Sequence, residues 1–179
     1  EADNYNKIER LSSSVSFTAP KARVLIVDDA EINLKVASGL MQPYNMELIT
    51  ADSGPSAINK IRFQNIDLVF MDHMMPEMDG VEATRIIRSM NGEYYKKLPI
   101  IALTANAVNG AREMFKESDF NDFIAKPIEL LALDRVLKKW IPADKIETLT
   151  SKDNTTDDLK NNSNNINKEK HTLVSKGLT

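Results

Sequence analysis

The sequence predicts an α/β chain built as a doubly wound parallel sheet, with a (βα)5 order of elements. Five short apolar, β-branched runs alternate with segments whose apolar residues recur at helical spacing. The connections are short, so each crossover forms a βαβ unit and the strands run parallel. In addition, four of the five runs end on an acid, a hydroxyl or an amine.

Val24-Leu25-Ile26-Val27 is a continuous apolar run, as in a central strand buried on both faces, and it ends in Asp28-Asp29. Ile32, Val36 and Leu40 then recur at i, i+4, i+8 with Ala37 beside them, and Pro43 stops that helix. Residues 46–51 read as a second strand, more polar, as an edge would be. Ser53 is placed to N-cap a helix carrying Ala57, Ile58 and Ile61 on one face. Residues 67–71 form the third strand, followed by Asp72-His73-Met74-Met75-Pro76-Glu77-Met78-Asp79-Gly80. Val81, Ile86, Ile87 and Met90 give the next helical face, closed by Asn91-Gly92. Pro99 opens a fourth strand, 100–103, which ends in Thr104. Val108, Ala111, Met114 and Phe115 follow at helical spacing. The fifth strand, 122–125, ends in Lys126-Pro127, and a last helix presents Ile128, Leu131, Leu137 and Trp140 before Pro142.

The flanks differ in character. Residues 1–20 are polar and serine-rich and are expected to be a flexible linker, although 14–18 also fit a short strand. Residues 21–142 hold the predicted domain. Residues 143–179 are rich in Asn, Lys and Asp, lack aromatic residues, and are expected to be a disordered linker or tail. The first residue is Glu1, so a fragment of a longer protein is expected.

Composition narrows the function. A formal net charge of −3 argues against a nucleic-acid groove, and no DNA-binding domain is expected in this fragment. The chain has no cysteine, which excludes disulfides, thiolate metal sites and cysteine nucleophiles. No apolar run approaches the ~20 residues that span a bilayer, and no signal peptide is visible. A cytoplasmic location without membrane contact is expected for the fragment, with tethering to a membrane-bound parent left open.

The strand ends carry the chemistry. In the flavodoxin-like order 2-1-3-4-5, strands one, three, four and five are neighbours, so Asp28, Asp29, Asp72, Thr104 and Lys126 fall at one rim. Each has a bland alternative when taken singly: a solvated acidic pair, a turn cap, a surface lysine. Jointly they point to one site. Two carboxylates about 4 Å apart repel by roughly 4 kcal/mol at an effective dielectric of 20. Lys126 supplies one positive charge, and a divalent cation that prefers oxygen supplies two, which brings three acids to a formal sum of zero. Mg2+ fits that role. Asp72 then reads as a nucleophile that accepts a phosphoryl group, with Thr104 and Lys126 on the remaining phosphoryl oxygens.

Val27-Asp28-Asp29, the 71–80 stretch, Leu103-Thr104-Ala105 and Lys126-Pro127, in this order, resemble the receiver domain of two-component response regulators over residues 21–141. The resemblance implies phosphorylation of Asp72 by a phosphohistidine on a histidine kinase domain or a histidine phosphotransfer domain. It implies Mg2+ held by Asp29, Asp72 and the backbone carbonyl of Met74, with Asp28 acting through water. It makes Thr104 the switch hydroxyl, Ala105 the small neighbour that leaves the phosphate room, and Phe123 the switch aromatic. It also implies a cis peptide bond before Pro127. Residues 29–33 and 103–107 are similar to receivers attached to hybrid sensor histidine kinases, as are the flanking stretches 16–20 and 175–178. The implied domain is a monomer that catalyses its own phosphorylation and slow dephosphorylation, in a parent that is a histidine kinase.

Three rival functions remain. An aspartate-dependent phosphohydrolase usually carries a second acid two residues after the nucleophile, where this chain has Met74. A nucleotide-binding domain needs glycines after the first strand, where this chain has Asp28-Asp29-Ala30-Glu31. A docking receiver that is never phosphorylated would not need its acids, hydroxyl and lysine all present. His73 reads as a loop residue, and the methionines at 71, 74, 75 and 78 as loop packing. Met74 over the phosphate would hinder hydrolytic water and lengthen the phosphoryl lifetime. His171 lies in a segment too short for a phosphotransfer bundle.

Overall fold

The computed structural model describes residues 15–105, 115 and 118–148. In chain order the strands are β1 (Phe17–Thr18), β2 (Arg23–Val27), β3 (Glu47–Ala51), β4 (Leu68–Asp72), β5 (Ile100–Thr104), β6 (Asp122–Ala125) and β7 (Glu147–Thr148). The helices are α1 (Glu31–Met41), α2 (Gly54–Phe63), α3 (Gly80–Ser89), α4 (Glu93–Lys97) and α5 (Leu130–Trp140). Strands β2 to β6 form one parallel sheet in the order β3-β2-β4-β5-β6. That is the doubly wound, flavodoxin-like 2-1-3-4-5 order expected from the sequence, once β1 is set aside. The expected fourth helix lies outside the described residues except for Phe115, which is helical and buried.

The core forms two layers because side chains alternate across a strand. On one face Val24, Ile26, Phe70, Leu103 and Ile124 pack with Ala37 and Met41 of α1 and Leu133, Val136 and Leu137 of α5. On the other, Leu25, Val27, Val69, Met71 and Ala102 pack with Ala57 and Ile61 of α2 and Ala83 and Ile87 of α3. β3 and β6 are the edge strands, and only Ala51 of β3 is buried. Ser53 caps α2 by accepting the Ser56 N–H at 3.4 Å, as expected.

Two helical faces differ from expectation. On α1, Ile32 and Val36 are 67% and 54% exposed, whereas Ala37 is buried and Leu40 half-buried as expected, and Met41 is buried beside them. The buried stripe runs through Leu34, Ala37 and Met41 at i, i+3, i+7, and Ile32 and Val36 lie to one side of it and face outward. On α5, Leu131 is 87% exposed, and Leu133, Val136 and Leu137 face the core.

The boundaries expected at residues 21 and 142 fall inside packed structure. β1 pairs antiparallel with β7, Phe17↔Thr148 and Thr18↔Glu147. Phe17 is buried, with its ring 5.0 Å from that of Tyr44, and the Ala19 N–H donates to the Tyr44 carbonyl at 2.8 Å. On the other flank, Lys145 Nζ meets Asp67 Oδ1 and Oδ2 at 2.7 and 2.8 Å. Residues 14–18 fit a short strand in the sequence, whereas residues 143–148 have too few apolar residues to signal one alone, and the pairing exists only because the fold brings both to one side.

Candidate phosphoryl-accepting site

Parallel register aligns the strand ends. Val27 is level with Met71, Asp72 with Leu103, and Thr104 with Ala125. The residues that end or follow these strands, Asp28, Asp72, Thr104 and Lys126, therefore lie side by side at the carboxyl rim. Asp28, Asp72 and Thr104 are buried, and Asp29 is exposed.

Lys126 is the hub. Its Nζ lies 2.6 Å from Asp28 Oδ2 and 2.8 Å from Asp72 Oδ2. Its backbone N–H donates to the Thr104 carbonyl at 2.7 Å, which ties the end of β6 to the end of β5. The Lys126–Pro127 peptide bond is cis. Burial lowers the pKa of the Lys126 ammonium, but its hydrogen bonds to Asp28 and Asp72 and their charges outweigh burial and hold it above the usual lysine value.

Asp28, Asp29 and Asp72 each offer one carboxylate oxygen, and all three lie within 4.8 Å of one another. An all-oxygen, anionic donor set of this size suits a hard divalent cation such as Mg2+. With Lys126 as the neighbouring cation, the cluster keeps a formal charge of −2, which a divalent ion would cancel. The donor set therefore fits the ion.

The loop after β4 is shaped by the backbone. Met74 donates its N–H to Asp72 Oδ1 at 3.3 Å. Glu77 adopts a left-handed φ of 65°, and Asp79 caps α3 by accepting the Glu82 N–H at 2.7 Å. The Gly80 N–H donates to the His73 carbonyl at 3.1 Å, folding the loop back on its strand. A Cβ at Gly80 would collide with the Asp72 carbonyl oxygen and come within 2.8 Å of the His73 Cα.

The remaining expected residues surround this cluster. Met74 is 70% exposed and Ala105 is exposed. Phe123 is half-buried and stacks on Phe115, with centroids 5.6 Å apart and planes at 28°. The His73 ring meets Phe115 edge-on at 5.6 Å, and its Nδ1 lies 3.3 Å from the Leu103 carbonyl. Its ring is therefore engaged in packing, which fits the loop reading. His171 lies outside the described residues.

The sequence reading missed Asn33 as a site residue. Its Nδ2 donates to Asp28 Oδ1 at 2.9 Å, and the same oxygen accepts the Ala30 N–H at 3.0 Å. The available signal was its place in the first turn after a strand-end acid, where a helical side chain leans back over the preceding loop. A cavity of about 160 Å3 adjoins these residues, lined by Ile26, Asp28, Asn33, Val36, Lys126 and Ile128 among others.

Comparison with known proteins agrees with this geometry. A family model described as the response regulator receiver domain matches residues 24–138. The chain is 38% identical over 119 residues to the sensor protein GacS of Pseudomonas syringae pv. syringae, and 33% identical over 125 residues to the histidine-protein kinase BarA of Escherichia coli. These matches take in 66% and 70% of the chain but only 13% of each relative. Among solved structures, it resembles the receiver domain of a sensor histidine kinase from Pseudomonas aeruginosa that has a magnesium ion coordinated in its active site cleft. There the TM-score is 0.60 at 34% identity, covering 66% of this chain and 96% of that one. It also resembles the receiver domain of Ssk1 from Saccharomyces cerevisiae, crystallised with the histidine phosphotransfer protein Ypd1. That match has a TM-score of 0.63 at 27% identity, covering 72% of this chain and 94% of that one.

Proposed function

The chain belongs to the response regulator receiver domain family, and from that premise we propose that Asp72 accepts a phosphoryl group from a phosphohistidine on a partner. The observation that carries the proposal is the single ammonium of Lys126 held between Asp28 and Asp72 at 2.6 and 2.8 Å, with Asp29 beside them. A half-buried lysine bridging two acids neutralises the nucleophile's surroundings without blocking the open side of the cluster, where Asp29 is exposed.

In the proposed step an Asp72 carboxylate oxygen attacks phosphorus as the nitrogen–phosphorus bond of the donor breaks, and the electron pair leaves with the imidazole nitrogen. The Lys126 ammonium turns from Asp72 to a phosphoryl oxygen as negative charge moves there. The Thr104 hydroxyl donates to a second phosphoryl oxygen, and Ala105 leaves that side open. Asp28, Asp29, Asp72 and the Met74 carbonyl would hold Mg2+, which supplies positive charge to the phosphoryl oxygens. Phe123 then moves against its Phe115 neighbour as Thr104 is drawn toward the phosphate.

The partner is a histidine kinase domain or a histidine phosphotransfer domain, and the parent protein a hybrid sensor histidine kinase. Exposed Ile32 and Val36 on α1, beside the acidic cleft, offer it an apolar landing surface. Among the described residues no helix is long and apolar enough to cross a membrane, and we place the domain on the cytoplasmic side. Incubation with acetyl phosphate and Mg2+, followed by intact mass, tests the proposal. The parent should gain the mass of one phosphoryl group and Asp72→Asn should not. Equal gain in both would overturn it, and sustained release of phosphate from small esters would favour a phosphohydrolase.

A further inference from the structure

Asp28 is 1% exposed, and both of its oxygens are in use. Oδ2 faces the cleft and takes Lys126 Nζ at 2.6 Å. Oδ1 faces α1 and takes the Ala30 N–H and Asn33 Nδ2 at 3.0 and 2.9 Å. The two sides are not equivalent. A cation drawn into the cleft competes with Lys126 for Oδ2, and a phosphoryl group competes with Oδ2 for Lys126. The hold on Oδ1 has no such competitor. Of its two donors, Ala30 is backbone two residues away and cannot by itself stop the carboxylate swinging about its bond to Cβ. Asn33 reaches it from the first turn of a helix anchored in the core through Ala37 and Met41. An ionised carboxylate only accepts, so the amide must present its NH2 to it, and the Asn33 backbone N–H is already given to the Ala30 carbonyl at 2.9 Å.

We infer that Asn33 is a positioning residue: by fixing Oδ1 it aims Oδ2 of Asp28 at the cleft and so sets the affinity of the acidic cluster for a divalent cation. The inference rests on the metal-assisted reading of the site given above. Groups that orient a metal ligand without touching the metal typically change affinity by roughly ten- to a hundredfold when removed. Here one of two Oδ1 donors remains, so the lower end applies.

The test is Mn2+ binding to the whole chain by calorimetry, which does not depend on phosphorylation, with the fold checked by circular dichroism. Asn33→Leu keeps the approximate side-chain volume and removes the donor, and Asn33→Ala removes it with less bulk should the leucine variant not fold. Either is expected to bind Mn2+ roughly tenfold more weakly than the parent. Asn33→Gln, which keeps the NH2, is expected to recover most of that loss. A folded Leu or Ala variant within about twofold of the parent, against the expected tenfold, overturns the inference alone. So does a Gln variant as weak as the Leu variant. A parent that binds no Mn2+ overturns the reading of the site itself, and this inference with it.

Discussion

At Gly80 a single missing methyl group lets a loop close. The residue starts α3 while its backbone lies against the Asp72 carbonyl and the His73 Cα, so any Cβ meets backbone that cannot yield. Gly80→Ala is expected to lower stability by about 2 kcal/mol or more, read by urea denaturation, and to slow labelling of Asp72, because the shift falls on the nucleophile's own peptide group. Met74, two residues after Asp72, is apolar and 70% exposed, so under the proposed function no proton acceptor stands there to assist hydrolysis. Met74→Glu should hasten loss of the phosphoryl group by up to about a hundredfold, the scale of a positioned base, measured as decay of the labelled mass. At this scale the acids, Thr104 and Lys126 were legible, because each follows an unmistakable strand. Asn33 was not, since its role depends on which way a helix turn leans.

At the scale of elements, polar side chains decide how pieces meet. Arg88 of α3 donates to the carbonyls of Tyr95 and Leu98 at 2.6 and 2.8 Å and to Asn121 Oδ1 at 2.8 Å, so one guanidinium joins α3, the end of α4 and the turn before β6. Arg88→Met would strand those acceptors and is expected to cost about 2–4 kcal/mol, read by urea denaturation. Asp122 joins β6 to α5, accepting from Lys139 Nζ at 2.8 Å and Trp140 Nε1 at 3.2 Å. Burial pushes its pKa up, but these bonds and that of the Phe123 N–H prevail, and it sits below the usual carboxylate value. A depressed folded pKa stabilises the fold above the unfolded value, near about 4, and that contribution disappears as pH falls through the folded value. Lys139 is half exposed, so screening limits the effect to about 1 kcal/mol. Melting of Asp122→Asn should therefore vary less with pH below about 4 than melting of the parent, while at neutral pH it melts lower. The five strands of the parallel sheet and the buried faces of α2 and α3 were legible from the sequence pattern. The exposed Ile32 and Val36 were not, because periodicity gives a stripe's spacing without its rotation about the axis.

For the molecule as a whole, the consequential feature is that its two flanks meet. β1 and β7 pair, Phe17 fills space beside Tyr44, and Lys145 reaches back to Asp67, which also accepts the Arg23 N–H at 2.8 Å. A chain cut to residues 21–142 loses all of these except the Arg23–Asp67 bond. It is expected to melt lower than the full chain, and Phe17→Ala alone should cost about 3 kcal/mol, as buried Phe→Ala changes do. Equal melting of the truncated and full chains would mean the clasp adds nothing to the fold.

The sequence by itself determined the parallel sheet and the polar residue that ends each strand, while the strand order came with the flavodoxin-like fold it resembles and is set by the structure. The first two follow from local spacing and from the short connections that only a βαβ crossover satisfies. Only the tertiary structure decided that Lys126 bridges Asp28 and Asp72, that Asn33 holds the far side of Asp28, and that residues 15–20 and 143–148 belong to the packed unit. Such contacts join positions up to 131 residues apart, Phe17 to Thr148. Their strength depends on distances and burial that no run of neighbouring residues encodes.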